Sequence, residues 1–412
     1  MSAAPASAAH SRLLFGLIIG LVAIGPLSTD LYLPSLPAIG RSLEANVAAT
    51  QLTLSVYMAA FALVQLVYGP LSDRFGRRPI VLGGMAIYVV ASAACAIATT
   101  IEALIAARAL QAAGACAGVV LGRAIVRDVY GREGAARMLA LVGSVMAFAP
   151  AAGPILGGIV EVNFGWRWNF ALLVALASAL LALLAFYLVE TNKQRDPTAL
   201  ELGRMQRNYA TLLGDRRYLG YALCVAFGYG GLFAFISGSS FVLIGDLGLA
   251  PDTFSYFFAA CVVGYFTGAQ LAAHFTLRLG IDRMLIVATS IKLAGGAGML
   301  AATLAGAVTA DILGAAFLVA PMSFYMCGMG MGMPNGQGGA LGPYPHMAGA
   351  ASALMGFLQM ACAALVGIAF GHLHDGTPLA LAGLVMFCAA AVAASLVFLV
   401  RPGAERGIDG RG

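Results

Sequence analysis

Three ionisable side chains stand in stretches that are otherwise almost free of charge. Asp30 lies in 13–36, Arg108 in 102–126 and Lys292 in 284–305. A charge at bilayer depth costs roughly 2.5–3.5 kcal/mol on insertion scales, so such groups face a cavity or a partner. Asp30 is the carboxylate placed well inside an apolar run, and the chemistry open to it is taking up and releasing a proton. Pro34 follows four residues later and has no N–H, so the carbonyl of Asp30 loses its helical partner. An acid and a free carbonyl at one depth predict a hydrated interior site. The plainer alternative is a helix-end acid that reaches the interface. Arg108 is permanently charged and needs water or a partner. Whether that partner is Asp30, and whether such a pair would only be structural, is open in the sequence. Gln111 lies one turn on and shares the Arg108 face. For Lys292, snorkelling to lipid headgroups competes with lining a cavity.

The stretches that carry these residues fix the class. The 412 residues are 61% hydrophobic and 10% charged, against about 25% charged in a soluble domain. Twelve apolar runs read as 13–36, 51–71, 80–98, 102–126, 136–160, 168–189, 218–243, 253–274, 284–305, 311–335, 347–371 and 378–400. Each approaches or exceeds the roughly 20 residues that cross a bilayer as a helix. An outer-membrane barrel would show short alternating strands instead. The expected fold class is an all-α polytopic membrane protein of twelve transmembrane helices in two six-helix halves. The N-terminal half is 1–189, a cytoplasmic linker 190–217, the C-terminal half 218–400 and a cytoplasmic tail 401–412. The first run lacks a small-residue cleavage site and reads as retained. The seven cysteines all fall within runs and form no CxxC pair, so neither a disulfide framework nor a thiolate metal site is indicated.

Orientation follows from the 23 lysines and arginines. With the N-terminus inside, Arg41 and Arg167 fall outside and Arg108 and Lys292 lie deep within runs, leaving 19 on the inner side, Arg123 and Arg137 among them at the inner ends of their runs. That is the positive-inside pattern, with both termini cytoplasmic. The net charge of +5 therefore reports topology rather than nucleic-acid binding.

Glu190–Arg217 is the longest polar stretch between runs, and part of it can form a surface helix on the inner leaflet. A faint repeat places Asp73-Arg74-Phe75-Gly76 and Leu277-Arg278-Leu279-Gly280 in equivalent loops, about half a chain apart. Tyr57, Phe61, Gln65 and Tyr68 form one stripe on the second run. Tyr229 and Phe233, with Phe227 and Phe235 near them, mark the seventh. Aromatic walls with few polar groups suit flat, partly apolar ligands, although each ring singly is as well explained by helix packing. Met322, Met326, Met329, Met331 and Met333 crowd the tenth run, as adaptable surface or as gap filling. Pro334-Asn335-Gly336 is expected to break that helix. Gly153-Pro154-Ile155-Leu156-Gly157-Gly158 permits close helix approach and bending.

Gly69-Pro70-Leu71-Ser72-Asp73-Arg74-Phe75-Gly76-Arg77-Arg78-Pro79 resembles the loop motif between helices two and three of the major facilitator superfamily. Read physically, it is a tight cytoplasmic turn whose glycines allow close backbone approach and whose Asp73 can face a helix N-terminus. Leu104–Gln111 is similar to the family's fourth-helix motif around a buried arginine, and Gly153–Gly158 to the core of its antiporter motif. Ser28-Thr29-Asp30-Leu31-Tyr32-Leu33-Pro34, Arg123-Ala124-Ile125-Val126-Arg127-Asp128, Phe235-Ile236-Ser237-Gly238 and Pro345-His346-Met347-Ala348-Gly349 resemble the Bcr/CflA-type drug-resistance subfamily. The departures are Ala112 where the fourth-helix motif has glycine, and Ala140 and Ala149 where the longer antiporter motif has glycines. Val22 stands where some related multidrug antiporters carry a second acid.

The resemblance implies a proton-coupled antiporter of the bacterial inner membrane that exports small, partly apolar drugs or antibiotics by alternating access. Asp30 and Arg108 would couple protons. Tyr57, Phe61, Gln65, Gln111, Phe227, Tyr229, Phe233 and Phe235 would line the substrate cavity. Gly69, Asp73, Arg74, Gly76, Arg77, Arg127, Asp128, Gly153, Pro154, Gly157 and Gly158 would switch the conformation. The proton is the coupling ion and no other cofactor is called for. The partners are a small-molecule substrate, protons and lipids, not nucleic acid, and the chain is expected to act as a monomer. Export of a metabolite or amino acid, and uniport with Asp30 merely structural, are the alternatives within transport. A receptor or scaffold would need a large soluble domain. No enzyme signature stands out: there is no P-loop, and His372-x-His374-Asp375 reads as a hydrated loop.

Overall fold

The computed structural model describes residues 8–146, 149–192 and 195–400. The expected tail 401–412 and Lys193 lie outside the described residues, as do the side chains of Arg12, Arg132, Arg137, Ala140, Ala149, Pro150 and His346. Thirteen α-helices follow one another: α1 Ala8–Asp30, α2 Leu36–Ser42, α3 Val47–Phe75, α4 Arg77–Ala96, α5 Ile101–Met146, α6 Ala149–Phe164, α7 Arg167–Tyr187, α8 Leu202–Gly214, α9 Arg216–Ser240, α10 Pro251–Leu304, α11 Ile312–Leu341, α12 Ala348–Leu373 and α13 Leu379–Ser395. Among the described residues ten stretches are long and apolar enough to cross a membrane, and Ala152–Phe164 is a shorter apolar helix. The 54-residue α10 is two spans joined at Gly280, whose φ of 77° breaks the helix. The count therefore reaches twelve, in two six-helix halves.

Chain chemistry places the breaks. α1 ends at Asp30, and a 3-10 turn at Leu33–Ser35 leads into α2. Pro34 and Pro37 lack the N–H groups that Asp30 and Leu33 would bond in a continuing helix. One boundary moves and one expectation needs correction. The runs 102–126 and 136–160 remain separate spans, at Ile101–Tyr130 and Ala152–Phe164, but the helix of the first continues to Met146. Pro334-Asn335-Gly336 does not end α11, which continues to Leu341. Pro334 costs the Gly330 carbonyl its helical partner without ending the helix, as prolines in membrane helices can, and beside it Asn335 Nδ2 donates to the Met331 carbonyl at 2.8 Å.

Small residues let the helices close on one another. In the N-terminal half, a Cβ at Gly118 of α5 would stand 2.6 Å from the Leu21 carbonyl of α1. In the C-terminal half, a Cβ at Gly295 of α10 would lie 2.6 Å from the Tyr325 nitrogen of α11. The halves meet along α3 and α12, where Gly367 packs on Ser55 and Gly371 on Ala48 and Gln51. They also meet at α6 and α10, where Ser255 Oγ donates to the Pro154 carbonyl at 2.8 Å. Towards the other, arginine-rich end they diverge around a cavity of about 1570 Å³.

Candidate functional site

The cavity begins at the broken end of α1. Asp30 is 4% exposed and lines it. Its Oδ1 accepts a hydrogen bond of 3.1 Å from Thr29 Oγ1, which also donates to the Pro26 carbonyl at 2.8 Å. Tyr229, on the opposite half, lies within electrostatic reach of the carboxylate. The backbone of α6 holds the other side: a Cβ at Gly153 would sit 2.5 Å from Asp30 Cβ, and Gly157 packs on the Leu31 carbonyl. The glycine segment is thus the seat of the α1 break. Gly158 and Pro154 are buried in the same helix.

Arg108 is wholly buried behind this wall. Its Nη1 donates to the Ser28 carbonyl at 2.9 Å and to Gln111 Oε1 at 2.5 Å. The guanidinium lies 4.3 Å from the Tyr57 ring centroid, 4.8 Å from Tyr32 and 5.9 Å from Phe170. This aromatic box takes the place of a counter-ion. Among the described residues Arg108 forms no ion pair, and its Nε and Nη2 have no partner. Its link to Asp30 runs through the Ser28–Thr29 backbone. Gln111 donates to Ser92 Oγ at 2.8 Å, and Ser28 Oγ bonds the Tyr88 hydroxyl at 2.7 Å. Gln111 therefore belongs to the interior network and not to the cavity wall, a correction that follows from the Arg108 face turning towards α1 and α4.

Tyr57, Phe61 and Gln65 line the cavity from α3, and Tyr229 and Phe233 line it from α9. Phe227 and Phe235 do not. Phe227 packs edge-on against Phe387, and Phe235 stacks on Phe258. Each stands two positions from a lining residue, about 200° around a helix, so the four cannot share one face. From α11, Met326, Met329 and Met333 reach the cavity, while Met322 and Met331 are buried elsewhere. The sequence reading missed Gln270, Gln359 and Tyr265, which also line it. Lone amides in apolar runs were the signal for the two glutamines. The surface helix expected within 190–217 is α8, and what the sequence did not show is that it contributes Arg204, Met205, Asn208 and Tyr209 to the cavity, with the Tyr209 hydroxyl bonding the Leu66 carbonyl at 3.3 Å. Lys292 neither snorkels nor reaches this lining; it is 2% exposed inside the C-terminal half.

The arginine-rich end is clamped. Arg77 pairs with Asp73 at 2.6 Å and with Asp128 at 3.0 Å. The Glu190 carboxylate accepts from the backbone N–H groups of Arg77 at 2.8 Å and Arg78 at 3.1 Å, capping α4. Burial works against that charge, but the N–H groups of Asn192, Arg77 and Arg78, with Arg195 near, hold the carboxyl below its usual 4.5. Gly76 has φ 102°, and Glu190 occupies the place a Cβ would take, so only glycine fits. The helix N-terminus expected to face Asp73 is thus taken by Glu190, which the sequence reading did not single out. Asp73 uses its carbonyl instead, accepting from Asn192 Nδ2 at 3.0 Å and from the Asp196 N–H at 3.1 Å. Arg74 lies over the Phe75 ring at 5.3 Å. Gly69, with open space where its Cβ would be, lines the cavity with Arg123 and Arg127. His374 pairs with Asp246 at 3.3 Å, and Asp375 accepts from the Thr377 hydroxyl at 2.6 Å.

Residues 18–371 match the model of the Major Facilitator Superfamily. The chain is 33% identical over 390 residues to the uncharacterized MFS-type transporter YdgK of Bacillus subtilis, covering 94% of this chain and 95% of that one. It is 31% identical over 360 residues to the bicyclomycin resistance protein homolog of Haemophilus influenzae, covering 87% and 88%. The crystal structure of the nucleoside transporter NupG superposes with a TM-score of 0.71 at 14% identity, over 94% of this chain and 99% of that one.

Proposed function

The chain belongs to the Major Facilitator Superfamily, and from that premise we propose that this membrane transporter exports small, partly apolar drugs or antibiotics in exchange for protons. One observation carries the proposal: Asp30 stands at the sealed end of a cavity of about 1570 Å³ walled by Tyr57, Phe61, Phe233 and methionines. The resistance name of the Haemophilus relative supports the substrate class. The chain sits in a bacterial inner membrane as a monomer with both termini in the cytoplasm, and the arginine-rich end faces inward. The described conformation is then inward-open.

The exchange needs two states of one carboxylate. With Asp30 ionised, a substrate entering from the cytoplasm or inner leaflet displaces water beside it. With Asp30 protonated from outside, that interaction weakens and the substrate leaves. The proton biases the halves only through its different effect in the two arrangements. Residues 1–189 and 218–400 act as the rocking bodies, joined by 190–217. Asp73, Arg77 and Asp128 hold the inward loop, and Gly153–Gly158 holds the floor.

Substrate-driven proton flux in proteoliposomes tests the reading. Asp30→Asn keeps size and cannot titrate, so the variant inserts and binds but carries no proton-coupled export. Full uphill transport by a well-expressed Asp30→Asn protein refutes the proton-carrier role.

A further inference from the structure

The C-terminal half buries an ionisable group that this exchange does not use. Lys292, on the second arm of α10, is 2% exposed. Glycines on two other helices bring their backbones close to its amine. A Cβ at Gly228 of α9 would stand 3.2 Å from Nζ, and one at Gly332 of α11 3.1 Å from it. A Cβ at Gly328, one turn earlier in α11, would press on Lys292 Cγ at 2.8 Å. Among the described residues no carboxylate pairs with the amine. The titratable group that acts on it is the Cys224 thiol of α9. Burying an ammonium without an anion costs several kcal/mol, so the site is unfinished as it stands.

The missing anion has a route. Tyr229, next to Gly228, lines the cavity, and so do Met329 and Gly330 between Gly328 and Gly332. A Cβ at Gly228 would lie 3.4 Å from Met329 Sδ and 3.2 Å from Lys292 Nζ, so a cavity-lining methionine packs beside the amine. Methionine repacks readily, and the lysine stem is long and rotatable. Glycine at 228 and 332 leaves no side chain in the path. Asp30 lines the same cavity, and its carboxylate disfavours an anion beside it.

We propose that Lys292 is an anion-recognition site of the C-terminal half. It takes the carboxylate of an amphipathic aromatic substrate whose ring lies among Tyr57, Phe61, Phe233 and Met329. This rests on the cavity being the substrate site, and not on proton coupling.

The test uses the fact that Lys193 and Lys292 are the two lysines of the chain. Purified Lys193→Arg protein in detergent is treated with trinitrobenzenesulfonate, and mass spectrometry reads the Lys292 peptide apart from the N-terminal amine. Naphthylacetate protects Lys292, and the neutral naphthylacetamide does not. In equilibrium binding, Lys292→Gln weakens naphthylacetate about tenfold and changes the amide by less than about twofold, as expected for one charge-assisted hydrogen bond. Lys292→Arg retains most of the carboxylate affinity. Equal protection by the two probes overturns the proposal. So does a wild-type protein that binds the acid no better than the amide, or a Lys292→Gln variant with unchanged preference. Neither measurement uses a gradient, so a failed proton-flux assay leaves this result standing, and a failure here leaves the exchange untouched.

Discussion

A single methyl group at Gly153 tests whether α6 holds Asp30 in its working position. The added Cβ would lie 2.5 Å from Asp30 Cβ and 3.3 Å from its carbonyl carbon. Carbon atoms rest about 3.5–4.0 Å apart, so α1 and α6 must separate by about 1 Å, or Asp30 must turn. Tilting α6 gives little relief, because Gly157 already touches the Leu31 carbonyl one turn on. Overpacking of this kind costs about 1–3 kcal/mol. At about 1.4 kcal/mol per factor of ten, the affected equilibrium shifts roughly 5- to 150-fold. The assay pairs exchange in proteoliposomes with thermal unfolding in detergent. Gly16→Ala and Gly83→Ala serve as controls, since a Cβ at either meets nothing within 4 Å. The controls should hold or gain stability, because alanine favours helix over glycine by up to about 1 kcal/mol. Gly153→Ala should melt earlier and lose at least about fivefold in exchange. A Gly153→Ala protein that melts and exchanges like the controls refutes the reasoning, because the close approach would then have no consequence.

Arg108→Ala removes the cation from its aromatic box and takes the Arg108 donor from the Ser28 carbonyl and Gln111 Oε1, so both folding yield and exchange should fall. Arg108→Lys should rescue only part, since a point charge lacks the planar fork; equal activity of Arg108→Lys and wild type shows that charge alone suffices. Asp73→Asn breaks the 2.6 Å pair with Arg77 and should slow exchange while sparing substrate affinity. Cysteine labelling from each side should show a shift away from the inward-open arrangement in which the pair is formed, and lost binding with unchanged accessibility moves Asp73 into the recognition site. Glu190 has a folded-state carboxyl below its usual 4.5, so its clamp on α4 is present above that pH and is lost as pH falls through the lower folded value. Thermal stability in detergent should drop on the acid side of 4.5 in wild type and drop less in Glu190→Gln; identical acid profiles remove the cap from the account.

Residue chemistry that acts along one helix was legible before any coordinates. Pro34 announced the end of α1, and the apolar runs announced the spans, because both depend on local sequence alone. The Tyr57–Phe61–Gln65 stripe was legible for the same reason. What failed were readings that needed to know which face a neighbour covers. Phe227 and Phe235 were aromatic and close to Tyr229, yet helix rotation sends them to other partners. Gln111 had the right polarity and turned towards Ser92. Lys292 sat near enough to a run's end to suggest snorkelling, and only the glycines of α9 and α11, far away in sequence, show why it stays inside.

The same contrast explains how the two central charges divide their work. Arg108 is enclosed by Tyr57, Tyr32 and Phe170 and by the Ser28 carbonyl, an environment that changes little unless the N-terminal half itself opens. Asp30 has one short-range partner, Thr29, and otherwise faces the cavity, Tyr229 of the other half and the backbone of α6. A group fixed within one rigid half cannot sense the rocking of the two; a group at their junction can. In the proposed exchange, coupling therefore falls to Asp30, with Arg108 positioning the Ser28–Thr29 segment beneath it. An Arg108 variant should then lower the rate without uncoupling it, whereas an Asp30 variant should uncouple while still binding. An Arg108→Lys protein that leaks protons without moving substrate would reverse this assignment.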